Sequence, residues 1–147
     1  MSSFLNATHP NVRKLARYYL EFWNENREER LVELVTSDLK LHGVGDEPLG
    51  VNDFLEAAKG LKSTFSKIAL KLEDMRVDGD VIATRMRIDA IHSGDGLGFP
   101  GTGKPVTMFA MTFTRWRGDR VCEAWDLVDM ASVYRQLGLS LSAPSAS

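Results

Sequence analysis

The sequence is short of several things, and each shortage closes a class of function. It has one cysteine, Cys122, in 147 residues. An internal disulfide is therefore excluded, and a reducing compartment, the cytoplasm, is the expected setting. Positive charge is not in excess: 18 Lys and Arg stand against 20 Asp and Glu, a net charge of −2. Neither a nucleic-acid surface nor a basic membrane-binding face is expected from that balance. No apolar run approaches the ~20 residues that span a bilayer. The opening MSSFLNATHP lacks the basic start and apolar core of a secretory signal. His9, His42 and His92 have no ligand-like spacing and no cysteine cluster beside them, so no metal site is expected. Cys122 has no motif around it and reads as a small packing residue.

What is present is ordinary globular composition, 44% hydrophobic and 26% charged, over a length that suits one domain. That domain is expected to span residues 1–138. The stretch 139–147, ending SLSAPSAS, is small and polar and is expected to be a disordered tail.

Periodicity divides the domain into helices first and strands after. From Pro10, which suits an early helical position, Val12, Leu15, Ala16, Tyr19, Phe22 and Trp23 recur at helical spacing. Asn26 and Glu29 read as a capping pair for a short helix through Leu31, Leu34 and Val35. LKLH is a brief strand candidate. VNDFLEAAKGLKSTF reads as a third helix, with Asn52 as its expected cap. From Lys67 the period becomes two. In VIATRMRIDAIH one side carries Ile82, Thr84, Met86, Ile88, Ala90 and His92, and the other carries the charges. VTMFAMTFTRW, an R-G-D turn and RVCEAWDLV follow, and MASVYRQLG reads as a closing helix stopped by Gly138. Strands joined by short turns imply an antiparallel meander. The expected fold is α+β, a curved antiparallel sheet wrapped by N-terminal helices into a cone-shaped α+β barrel.

Two glycine patterns imitate nucleotide loops. GLGFPG fits G-x-G-x-x-G, and GFPGTGKP nearly fits G-x-x-x-x-G-K-[ST]. Both need a helix immediately after the glycines, to present amides to phosphate. A β-rich segment follows instead, and Pro105 stands where Ser or Thr is required, so a long hairpin loop is expected.

The stretch EAWDLVDMASVYRQLG raises a different question. In steps of two, one side is Glu123, Trp125, Leu127 and Asp129, a mixture suited neither to solvent nor to a core. If Trp125 and Leu127 face inward, Asp129 faces inward too, unless a bulge intervenes. An apolar surrounding would then raise its pKa toward the range of a general acid or base. The same residue could instead cap the following helix. His92, at the end of an apolar strand side, could be a second proton carrier or simply a strand-end residue.

These segments, in order, resemble the SnoaL-like polyketide cyclases, also called ester cyclases, of the nuclear-transport-factor-2-like superfamily. The resemblance runs from about Val12 to Gly138 through YYLEFWNEN, TSDLKLHG, PLGVNDFLEA, AIHSG, FPGTGKPV and the R-G-D turn. Most specific is the ending, close to the family's E-x-W-x-x-x-D followed by Q-L-G. The resemblance implies a cone with a deep pocket and a cofactor-free cyclase that closes a ring by aldol chemistry. It implies Asp129 as general acid/base, His92 assisting at the substrate oxygen, and Trp125 walling the pocket. Tyr19, Trp23, Phe54, Met86 and Met111 are further lining candidates by periodicity. One departure is that Asp89 and Ala90 stand where the family often has a glycine, and Asp89 would be a third carboxylate near the mouth or a solvated side chain. The expected partner is an apolar, oxygenated small molecule. The alternatives are epoxide opening and non-catalytic ligand binding, because this cone serves several chemistries. A homodimer through the outer sheet face is the expected assembly, signalled by Phe109 or Phe113 if they point outward.

Overall fold

A computed structural model describes residues 3–140 and residue 143. Most of the tail expected to be disordered lies outside the described residues. After a single helical turn at Ser3–Asn6, helix α1 (Pro10–Glu25) begins with Pro10 in its first turn, where a missing N–H costs nothing. His9 caps it, its Nδ1 accepting the Asn11 N–H. Asn26 does not open the next helix. It ends α1 in the left-handed conformation, at φ 57°, a role its short polar side chain tolerates. Helix α2 (Glu29–Leu34) runs directly into strand β1 (Val35–His42). Helix α3 (Val51–Thr64) starts from Gly50, with no side-chain cap from Asn52, and passes into β2 (Phe65–Asp78).

Strands β3 (Val81–His92), β4 (Pro105–Arg117) and β5 (Arg120–Val128) complete the sheet, and α4 (Met130–Gln136) closes the chain. The strand order is β1-β5-β4-β3-β2. β2 to β5 form the expected antiparallel meander, but β1 pairs with β5 in parallel. The sheet is therefore mixed rather than antiparallel. It is also open, ending at β1 and β2, not a closed barrel. Interruptions in the β2–β3 register, with Lys67 at φ 51°, mark bulges of the kind that curl a sheet. The inward side of β4 is Val106, Met108, Ala110, Thr112, Thr114 and Trp116, all buried, and α1 packs across that concave face through Leu15, Ala16, Tyr19 and Phe22. The glycine-rich loop joins β3 to β4 with no helix after it, as a hairpin connection requires.

The closing helix explains the Q-L-G ending. β5 runs out before it reaches Thr107, leaving that backbone unpaired on one side. Gln136 fills the gap: its amide donates to the Thr107 carbonyl (2.8 Å) and accepts the Thr107 N–H (2.8 Å), as a strand would. Leu137 is buried against Val133, Phe65 and Met108, and Gly138, at φ 83°, terminates the helix.

Candidate active site

A cavity of about 280 Å³ lies between the helices and the concave side of the sheet. α1 contributes Tyr18, Tyr19 and Trp23, and α3 contributes Phe54, Ala57, Ala58 and Leu61. The sheet contributes a mostly apolar floor that includes Phe65, Met86, Met108 and Ala110. Four expected lining residues, Tyr19, Trp23, Phe54 and Met86, are thus brought together here.

A row of polar side chains crosses three strands, and two of them, Thr112 and Asp126, line the cavity. Thr84 on β3 pairs with Thr112 on β4, and Thr112 pairs with Asp126 on β5. Tyr19 reaches down from α1 to this row, its hydroxyl 2.6 Å from Thr112 Oγ1. The Thr84 hydroxyl is buried beside them. Asp126 is half-buried and, among the described residues, neither accepts a hydrogen bond nor forms an ion pair. With nothing to compensate for lost water, burial pushes its carboxyl up to about 6. Burial, and then the neighbouring Asp126, push the Tyr19 hydroxyl far above its ordinary value. Burial does the same at Tyr18, reinforced by Tyr19 and Asp126.

Asp126 faces the cavity because β5 contains a bulge. Trp116 pairs with Val121, but the next residue back on β4, Arg115, pairs with Glu123, leaving Cys122 as an extra residue. Val121 points inward; after the extra residue Ala124 and Asp126 point inward instead. Gly43 holds the far side of this place. A Cβ there would stand 2.0 Å from the Asp126 carbonyl oxygen, so a side chain would force β1 and β5 apart.

The same bulge turns the expected catalytic side of β5 outward. Leu127 is 72% exposed, reaching only the rim of the cavity. Trp125 does not wall the cavity: it lies on the convex face, stacked on His42 at 5.2 Å with the Arg115 guanidinium 5.3 Å over its ring. Glu123 holds His42 Nε2 at 2.8 Å. Asp129 is exposed and caps α4, accepting the Ser132 N–H at 3.1 Å, so it is not brought into the cavity. Met111, expected as lining, is 61% exposed on the convex face because every odd residue of β4 points that way.

His92 points to the inner side of β3, as its alternation requires, but does not line the cavity. It is fully buried between Phe65 and Phe99. Its Nδ1 accepts the Thr102 N–H at 3.2 Å, tying the glycine-rich loop to the sheet. That bond assigns the ring proton to Nε2, which is buried and unpartnered. Asp89 lies outside the cavity. It accepts the Thr107 hydroxyl at 2.7 Å and pairs with Arg87, and these contacts hold its carboxyl below the usual range.

Periodicity passed over Tyr18, Thr112 and Asp126. Tyr18 falls three residues after Leu15 and was open to a wider helical stripe; Thr112 and Asp126 depended on the phase of their strands. Among the described residues no group of three or more His, Cys, Asp or Glu is placed to hold a metal ion. Among the described residues no helix is long and apolar enough to cross a membrane.

No curated protein sequence matches this chain significantly. Solved structures do. IdmH, a proposed polyketide cyclase from Streptomyces antibioticus, is 27% identical, with 89% of this chain and 100% of that chain covered at a TM-score of 0.79. A proposed polyketide cyclase from Acidithiobacillus ferrooxidans is 26% identical over 94% of this chain and 98% of its own, at a TM-score of 0.78. AclR, a proposed hydroxylase from Streptomyces galilaeus, is 22% identical over 88% of this chain and 82% of its own, at 0.77, and shows the fold alone. The family model for SnoaL-like polyketide cyclase matches residues 13–137. The chain belongs to the SnoaL-like polyketide cyclase family.

Proposed function

We propose that this protein is a cofactor-independent cyclase or isomerase that moves a proton on a polyketide- or terpenoid-like ketone or ester, with Asp126 as the general acid/base. One observation carries the reading. Asp126 is the only carboxyl or basic side chain among the described residues lining an otherwise apolar and hydroxyl-bearing cavity. A carboxyl held near 6 is a competent base at neutral pH and a competent acid once it has taken a proton.

The chemistry runs as a closed proton cycle. Ionised Asp126 removes a proton from the carbon next to a carbonyl, and the electrons pass to the carbonyl oxygen. Either hydroxyl of the Tyr19–Thr112 pair can donate within it; with Thr112 as the donor, the Tyr19 hydroxyl hydrogen-bonds that oxygen as its charge develops. The enolate carbon then bonds to a second carbonyl carbon, and protonated Asp126 returns its proton to the new alkoxide. Isomerisation is the same cycle with the proton returned to a different carbon. Apolar walls exclude water from the enolate. His92 has no part in these steps.

Turnover of a panel of polyketide esters by Asp126→Asn and Asp129→Asn tests the assignment. Asp126→Asn should lose about 10²–10⁴-fold in kcat, the usual worth of one acid–base group. Asp129→Asn, still able to cap α4, should stay within about twofold of the parent. Equal losses in both, or none at Asp126, would return the cavity to a binding role.

The convex face supports a dimer of two copies. Phe109 (46%), Met111 (61%), Phe113 (56%) and Leu127 (72%) are exposed there together. The neighbouring Arg85, Arg87 and Arg115 are paired with Glu73, Asp89 and Glu123 of the same chain, so the face has no charge of one sign to recruit an unlike partner. Sedimentation should show a dimer that Phe113→Asp converts to monomer. A single cysteine suits work in the cytoplasm, within secondary metabolism.

A further inference from the structure

The cavity contains an acid with no cation to match it. Among the described residues lining it there is no lysine, arginine or histidine. Arg115 and His42 stand on the convex side, engaged with Glu123 and Trp125. On the helical side, Lys62 donates to the Phe22 carbonyl at 2.7 Å and lies over the Phe22 ring, outside the lining. Among the described residues Asp126 is therefore unpaired, beside two hydroxyls that can also accept, those of Tyr19 and Thr112.

We infer that the cavity binds a hydrophobic organic cation, an amine carried on a compact ring system, and holds it more tightly than its neutral isostere. An ammonium has three N–H donors and no acceptor, so Asp126, Tyr19 and Thr112 offer what it lacks. The rings of Tyr18 and Phe54 add attraction for a desolvated cation, whereas Trp23 already has the Lys62 ammonium 5.5 Å over its ring. Met86 and Met108, unbranched and polarizable, adapt to the apolar body. A volume of about 280 Å³ takes a bicyclic ring. A carboxylate of the same shape is excluded, because it would share an apolar space with Asp126 and meet no cation. The inference uses the cavity of the acid/base reading, but it requires only that Asp126 carry charge, not that it catalyse. If both hold, such an amine occupies the base and inhibits turnover.

The test compares three probes of one shape on the full chain at pH 8: 1-naphthylmethylamine, 1-naphthylmethanol and 1-naphthoic acid. Binding is measured by calorimetry for the parent, Asp126→Asn, Asp126→Glu and Trp125→Ala. In the parent the amine should bind roughly ten- to hundredfold more tightly than the alcohol, the usual range for a charge-assisted contact. The acid should bind more weakly than either. Asp126→Asn should bring amine and alcohol together while leaving alcohol affinity within about threefold, and Asp126→Glu and Trp125→Ala should both keep the preference. Equal affinity of amine and alcohol in the parent overturns the inference without any variant having to fold. A preference that survives Asp126→Asn, or is lost in Trp125→Ala, also overturns it by assigning the cation to another place. Turnover lost in Asp126→Asn without an amine preference in the parent would leave the catalytic reading standing and this one fallen.

Discussion

The two sides of β5 carry carboxylates a few residues apart and use them for opposite ends. On the convex side Glu123 binds His42, Trp125 lies between His42 and Arg115, and Asp129 caps a helix. Each of these carboxylates has a partner. On the concave side Asp126 has none among the described residues, and burial raises its proton affinity. The residues that make the E-x-W-x-x-x-D pattern recognisable are those that hold the strand to its surroundings. The residue proposed above as the acid/base is the one left without partners among the described residues, at a position the pattern does not specify.

Removing each carboxylate in turn sharpens that contrast. The largest effect expected is the loss of about 10²–10⁴-fold in turnover for Asp126→Asn against near-parental turnover for Asp129→Asn. Next is a pH signature in stability. Asp126 binds its proton more tightly in the native state (about 6) than an ordinary carboxyl near 3.9 does when unfolded. The native state therefore holds the extra proton between those values, and stability falls as pH rises through that window. Denaturant titrations at pH 4 and pH 8 should show the parent losing roughly 2 kcal/mol relative to Asp126→Asn. Glu21 and Asp89, whose carboxyls are lowered by hydrogen bonds and arginines, act in the other direction but are common to both proteins and cancel. A parent and variant with parallel pH curves would show Asp126 to be solvated.

Smaller losses should follow on the structural side. Gln136→Leu leaves the Thr107 N–H and carbonyl unpaired and should cost about 1–3 kcal/mol by thermal or denaturant unfolding. Asp129→Ala removes one helix cap and should cost about 1 kcal/mol, with Asp129→Asn near neutral. If Asp129→Ala instead changed turnover more than stability, the division between the two sides of β5 would fail.

Much of the framework was legible from local pattern. The stripe on α1, the alternation of β3, the R-G-D turn, the Gly138 stop and the absence of a helix after the glycine loop all depend on neighbours in the chain. Their physics, helical period, strand period and backbone freedom, is local too. Inward alternation also named Met86 and the inner side of β3 correctly. Where two local signals competed, the outcome was less readable. Asn26 suits a helix start and a left-handed helix end equally well, and in the fold it ends α1 while Glu28 precedes α2.

The amino-acid sequence by itself determined a helices-then-strands α+β chain, an apolar interior and a carboxylate-rich last strand. Tertiary structure alone decided which carboxylate entered that interior. Alternation predicts a face only while the count is unbroken. The count on β5 is broken by Cys122, which is extra only in relation to β4, where Arg115 and Trp116 pair two residues against three. A bulge is a property of a pair of strands, so one strand read alone cannot contain it. The parallel pairing of β1 with β5 is likewise a contact between residues some 80 positions apart, as in His42 with Trp125, and it brings Gly43 against Asp126 to finish the site.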